Sequence, residues 1–197
     1  MTSVSFRALA ISVVLLGLGW SLLPADPPVP EDRDKQAQAA IVDLSQNLGA
    51  RDASERAKKI VQEFKSDEIS SIFARKEGGG LGIGNLTDIV PQNSIERLIV
   101  TLSHRKTTTE AELDKYQADY VKVAKVMQAM AELAPYRANE RIKKNDKLLQ
   151  QWLTTAADFK KKTADFRQAV EERDPKKVRL SANQLHHTCC DCHSQVD

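Results

Sequence analysis

Apolar residues recur three and four apart along most of the chain, and no stretch keeps a sustained period of two. Helices are therefore expected and strands are not. Residues 34–48 put Ala37, Ile41, Leu44 and Leu48 on one stripe, which Gly49 stops. Asp52 with Glu55 reads as a capping box for a second helix. That helix carries Ala57, Ile60, Val61, Phe64, Ile69, Ile72 and Phe73 and runs to about Lys76, with a bend or break between Phe64 and Ile69 where the period drifts. Asn93 and Glu96 cap a short helix over 94–104 that turns Ile95, Leu98, Ile99 and Leu102 inward.

Three longer helices follow. Thr109 with Glu112 opens one that reaches Ala134 before Pro135 ends it. Its stripe is Leu113, Tyr116, Tyr120, Val123, Met127, Met130 and Ala134. The next spans 146–172, with Leu149, Trp152, Ala156, Phe159, Thr163, Phe166 and Val170 on one face. The last has Asp174 as N-cap and Pro175 in its first turn, and its stripe is Val178, Ala182, Leu185, Cys189 and Cys192. The expected fold is all-α. It is an up-and-down four-helix bundle with an extra N-terminal helix, and a Gly-rich loop plus a short helix are inserted between the first two bundle helices. The Gly-rich run, 78–84, lacks a following Lys-Ser/Thr and a preceding strand. Those absences exclude a phosphate loop or dinucleotide site and leave a flexible or tight turn.

The N-terminus carries a targeting pattern. Arg7 precedes a sixteen-residue apolar run, Ala8 to Leu23, shorter than the roughly 20 residues a membrane span needs. Residues 1–25 are expected to be a signal peptide. Because Leu23-Pro24-Ala25 is a poor cleavage signal, an uncleaved membrane anchor with Trp20 at the interface is the other reading. A Pro-rich linker over 26–33 then leads into a helical domain, 34–197. Either way the domain is exported, periplasmic and free or anchored to the inner membrane. A net charge of +2 with both signs mixed, and no basic block, exclude nucleic acid as a partner.

The chemistry sits at the other end. Cys189-Cys190-Asp191-Cys192-His193 is a C-x-x-C-H, the attachment signal of c-type haem. Two thiols add to the porphyrin vinyl groups, and the adjacent imidazole becomes the proximal ligand of the iron. On a helix, Cys189, Cys192 and His193 share one face, so a macrocycle could lie against it. All three cysteines of the chain fall within four residues, which rules out a disulfide framework. Zinc held by His186, Cys189, Cys192 and His193 is the rival, although four ligands from one helical stretch wrap a tetrahedral ion poorly. A redox thiol pair is a third reading.

Further residues matter only around a haem. Cys190 lies about 100° round the helix from Cys189 and reads as a free thiol. His187 reads as surface, and His186 shares the Cys189 face one turn earlier. Arg75 and Lys76 are candidate contacts for the haem propionates, or else solvated charges at a helix end. Trp152 and Phe159 pack near the haem or in the core. No acid/base pair or activated nucleophile stands out, so an enzyme is not expected.

A haem motif at the extreme C-terminus of a four-helix bundle resembles cytochrome c′, the class II c-type cytochromes, whereas most others carry it near the start. The match rests on Asp174-Pro175, Ala182-Asn183 and Cys189-x-x-Cys192-His193. Phe73-Ala74-Arg75-Lys76 with its glycine loop resembles an exported bacterial subgroup of c′-like proteins, and the likeness covers roughly residues 54–197. Val196 and Asp197 stand where the family has an aromatic and a basic residue. The resemblance implies one covalent haem c and a homodimer formed through the first two bundle helices. It also implies a distal side supplied by the first bundle helix. Between Glu31 and Lys76 there is no Met or His, so a five-coordinate iron is expected under Phe64, Ile69, Ile72 or Phe73. Met127, Met130 and His104 are outside candidates for a sixth ligand. The expected function is electron transfer with a redox partner protein. The alternatives are binding or sensing of a diatomic gas, NO or CO, and an exported helical protein with a structural zinc.

Overall fold

Polar caps and apolar stripes decide where the helices begin and which way they face. The structure, a computed structural model, describes residues 32–106 and 108–196; these are helices, short 3-10 segments and turns, with no strand among them. The expected leader or anchor, and the linker up to residue 31, lie outside the described residues. Among the described residues no helix is long and apolar enough to cross a membrane.

The first helix, α1, spans Arg33–Gln46, and its N-cap Asp32 accepts the Lys35 amide. Ala37, Ile41 and Leu44 are fully buried, as their spacing predicts. Helix α2 is Ala53–Glu63. The expected capping box does not form. Asp52 has φ −96° and ψ 5° and its side chain caps nothing, because an N-cap needs an extended backbone to swing its carboxylate back over the first turn.

The break expected between Phe64 and Ile69 is present. Phe64 takes extended geometry, and its ring is covered by the Arg33 guanidinium at 4.7 Å. The chain restarts as α3, Ser66–Ser70, with the Glu68 carboxylate accepting the Lys65 amide at 2.7 Å. A 3-10 turn, Ser71–Phe73, follows. Phe64 and Ile69 are five apart and would point about 140° away from each other on one helix. The break lets both be buried.

The glycine run is a tight turn. Gly80 donates its amide to Arg75 at 2.9 Å, and an added Cβ would fall 1.9 Å from the Ala74 carbonyl oxygen. Asn93, expected to cap the next helix, instead adopts φ 47° and accepts the Ile83 amide through its side chain. Ser94 is the cap of α4, Ile95–His104, and its hydroxyl also donates to the Phe73 carbonyl at 2.9 Å.

Thr109 caps as expected, but the long helix is interrupted. α5 is Glu110–Lys115 and α6 is Gln117–Leu133, separated by Tyr116, whose hydroxyl donates to Asp88. Every residue of the predicted stripe, Leu113 through Ala134, is buried, so Met127 and Met130 are core. Pro135 ends the run inside a 3-10 turn, and a short helix unforeseen from the pattern, α7, Glu140–Lys143, precedes the next cap. α8, Asp146–Glu171, starts from Asn145, and α9, Pro175–Val196, from Asp174, whose Oδ1 accepts the Lys176 and Lys177 amides at 2.9 and 3.1 Å.

Helix α9 packs lengthwise against α8 on one side and α4 on the other; α8 packs on α6, and α6 on α1 and α2. The short helix read as an insertion thus flanks the helix that bears the cysteines.

Candidate functional site

The motif occupies the last turns of α9. Val178, Ala182 and Leu185 on its predicted stripe have no exposed surface, and Ser181 and Thr188 beside them are buried too. Each buried hydroxyl is satisfied: Ser181 donates to the Lys177 carbonyl, and Thr188 donates to Asp158 of α8 at 3.1 Å. The stripe continues into Cys189, half-buried against the main core, and Cys192, half-buried against a separate small cluster of Ala138, Ile142 and Trp152. The two thiols therefore sit where two apolar clusters meet α9. Cys190 is exposed, 3.8 Å from the His186 ring, and His193 is exposed.

The remaining predicted residues fall as follows. His187 is exposed. His186 turns toward α4, where its ring meets His104 edge-on with centroids 6.0 Å apart. Trp152 belongs to the Cys192 cluster, while Phe159 packs on the main core. Arg75 and Lys76 are exposed, and neither makes an ion pair among the described residues. Among the described residues no group of three or more His, Cys, Asp or Glu side chains is placed to hold a metal, so His186, Cys189, Cys192 and His193 do not converge on a zinc geometry.

Arg137 carries no sequence signal, yet it lies beside the motif. Its Nη2 is within hydrogen-bonding distance of the Ser66 carbonyl (3.2 Å), the Ser66 hydroxyl (2.7 Å) and the Ser70 hydroxyl (2.9 Å). Its Nε is buried without a partner. These contacts bring α3 to the end of the molecule where Cys192 sits. They join residues distant in the chain, and no spacing rule could mark them.

Electrostatics separates the thiols from ordinary cysteines. Burial pushes the Cys189 thiol up to about 12, with smaller pushes from Cys192, Cys190 and Glu96. Burial also raises Cys192, against the opposing pull of the Arg137 charge. Burial in turn lowers the Arg137 guanidinium below its ordinary value.

No protein family, curated protein or solved structure matches the chain.

Thiol exchange needs a thiolate, and burial of Cys189 disfavours that form; against zinc stands the absence, among the described residues, of a converging group of ligands. A thioether carries no charge, so the same burial does not oppose it. Two sulfurs one helical turn apart, both against apolar side chains, with an imidazole next in the chain, fit a covalently held haem.

Proposed function

We propose that the chain is an exported c-type cytochrome of the c′ kind, which carries one haem c and transfers single electrons to or from a redox partner protein in the periplasm. Cys189 and Cys192 hold the macrocycle at two points, and His193 supplies the imidazole ligand. In this reading α6, α8 and α9 form the body of the bundle, with α4 against α9 and α1 and α2 against α6. The observation that carries the proposal is the pairing of two half-buried thiols on the inward face of α9, with His193 next in the chain. Bound haem supplies a one-electron couple at the iron. The chain's own residues do the rest. The apolar clusters at Cys189 and Cys192 exclude water from that side of α9. Asp174 and the buried stripe hold the helix that presents His193. Exported material, a leader or anchor over 1–25, and a homodimer belong to the same proposal.

Binding of NO or CO is the second reading, favoured by one specific observation. Arg137 ties α3 to the Cys192 end, and α3 and the turn after it offer no Met or His, only buried Ile69 and Ile72 on their apolar side. An open sixth position admits a small gas.

The test is a mass spectrum and a pyridine haemochrome of protein matured in an exporting host. Haem mass added to the polypeptide, with a two-thioether haemochrome, is the expected result. Colourless protein with the bare polypeptide mass overturns the proposal, and one zinc per chain in that sample revives the zinc alternative. A low-spin spectrum of the reduced protein, unchanged by CO, favours electron transfer over gas binding; a high-spin spectrum that CO shifts favours the reverse.

A further inference from the structure

We propose that His186 and Cys190, in the last turns of α9, form a binding site for one copper(I) ion, with His104 of α4 as the third ligand. The site uses the one cysteine of the motif that haem attachment leaves over. It goes beyond the function proposed above and does not rest on it.

His186 and Cys190 are four apart on α9 and so share one side of it. The Cys190 Sγ lies 3.8 Å from the His186 Nε2. Metal bonds to imidazole nitrogen and to thiolate run about 2.0–2.3 Å, so one ion bonded to two atoms at that spacing makes an angle of about 120° between them. That angle is trigonal rather than tetrahedral. A third donor stands across the contact between α4 and α9. The His104 ring meets the His186 ring edge-on, with centroids 6.0 Å apart. Two imidazoles on one trigonal ion have centroids about 5.5 Å apart by the same bond lengths. His104 is exposed, and a rotation of its side chain completes the set. Among the described residues no three His, Cys, Asp or Glu side chains are already in place for a metal, so an ion that demands four protein ligands is not served. A thiolate with one or two imidazoles suits a soft monovalent ion instead: thiolate selects copper(I), and imidazole suits copper. Binding breaks the Cys190 S–H bond, forms a copper–sulfur bond and releases the proton to solvent, with no electron moved. Cys190 is exposed, so the ion reaches it without opening the core. Cys189 and Cys192 pack against the two apolar clusters, which leaves Cys190 free of haem attachment.

The experiment uses the full chain matured in an exporting host. Copper(I) is added under nitrogen with ascorbate, against bathocuproine disulfonate as competing chelator, and the copper retained per chain is counted by elemental mass spectrometry after gel filtration. Wild type is expected to retain one ion. Loss of even an outer partner costs a metal centre about 10–100-fold in affinity, so Cys190→Ser and His186→Ala each lose at least about 100-fold, and His104→Ala, the ligand that must move, about 10-fold. His187 is exposed beside His186, and His187→Ala binds as wild type does. Wild type that retains no copper, or C190S that retains as much as wild type, overturns the inference. H187A falling as far as H104A overturns the ligand set, and zinc held as tightly as copper overturns the choice of ion. X-ray absorption at the copper edge of wild type needs no variant: one sulfur with two nitrogens at the metal supports the site, and a shell of sulfur alone overturns it. Covalent haem is measured in the same samples. Its absence defeats the haem reading, while copper lost in C190S still supports this site. Haem present with no copper retained defeats this inference alone.

Discussion

Trp152 donates its indole N–H to the Ala134 carbonyl across 3.0 Å, and both residues are buried. The carbonyls at the end of a helix lack intrahelical partners, and Pro135, next in the chain, has no N–H to offer. The Ala134 carbonyl takes the Arg137 amide in the turn that follows and the Trp152 N–H from α8, which joins α8 to the end of α6. The same ring closes the cluster against which Cys192 packs. Trp152→Phe keeps most of the apolar surface but removes one of that carbonyl's two hydrogen bonds, the other being the Arg137 amide at 3.1 Å, at an expected cost of about 0.5–1.5 kcal/mol. Trp152→Ala adds a cavity and costs about 3–5 kcal/mol. Urea unfolding of the three proteins checks both, and a Phe variant as stable as wild type would show that the hydrogen bond contributes nothing.

The motif predicts a pattern among cysteine variants that separates attachment from mere proximity. Cys190 is exposed and off the inward stripe, so Cys190→Ser retains two thioethers and an unchanged pyridine haemochrome. Cys189→Ser or Cys192→Ser leaves one link, and the haemochrome band moves to longer wavelength. The double variant, Cys189→Ser with Cys192→Ser, has the bare polypeptide mass under denaturing conditions. Loss of haem from C190S alone would reassign the attachment sulfur.

The helical class and most inward faces were legible because each rests on local periodicity. Leu113 through Ala134, and Val178 through Cys189, face inward as their spacing requires. Asp174 and Thr109 cap by local geometry alone, as expected. What escaped was settled at a distance. Tyr116 leaves helical geometry where its hydroxyl meets Asp88. Asn93 gives up a cap to close the glycine loop on Ile83. The motif at Cys189 and Cys192 was plain in the sequence, whereas Arg137 beside it is placed by α3 packing over the turn after α6. No pattern along one segment encodes that contact.

Among the glycines, Gly80 is held by close approach rather than by a left-handed backbone. A Cβ there meets the Ala74 carbonyl at 1.9 Å, while one on Gly78 meets nothing within 4 Å. Gly80→Ala therefore forces the turn apart and destabilises by about 1–3 kcal/mol. Gly78→Ala, two residues away in the same loop, stays within about 0.5 kcal/mol of wild type. Thermal melts of the pair test whether this loop is tight or slack, and equal melting temperatures would mean slack.

Stability at alkaline pH reports on the sulfur itself. The Cys189 thiol has an ordinary value of 9.0 in the unfolded chain and is pushed up to about 12 by burial in the folded one. Below about pH 9 it is neutral in both states, and its contribution to stability is fully present. Between about 9 and about 12 the unfolded chain releases the proton and the folded chain holds it, so stability falls as pH rises through that window. Cys192 is raised in the same direction and adds to the fall. A thioether has no proton to release, so the haem-loaded protein lacks this component. Lysines and tyrosines titrate in both forms and cancel in the difference. The expected result is a haem-free protein that loses stability above about pH 9 more steeply than the loaded one, with Cys189→Ala flattening the haem-free curve. Parallel curves for the two forms would mean that the Cys189 sulfur is not what the loaded protein has changed.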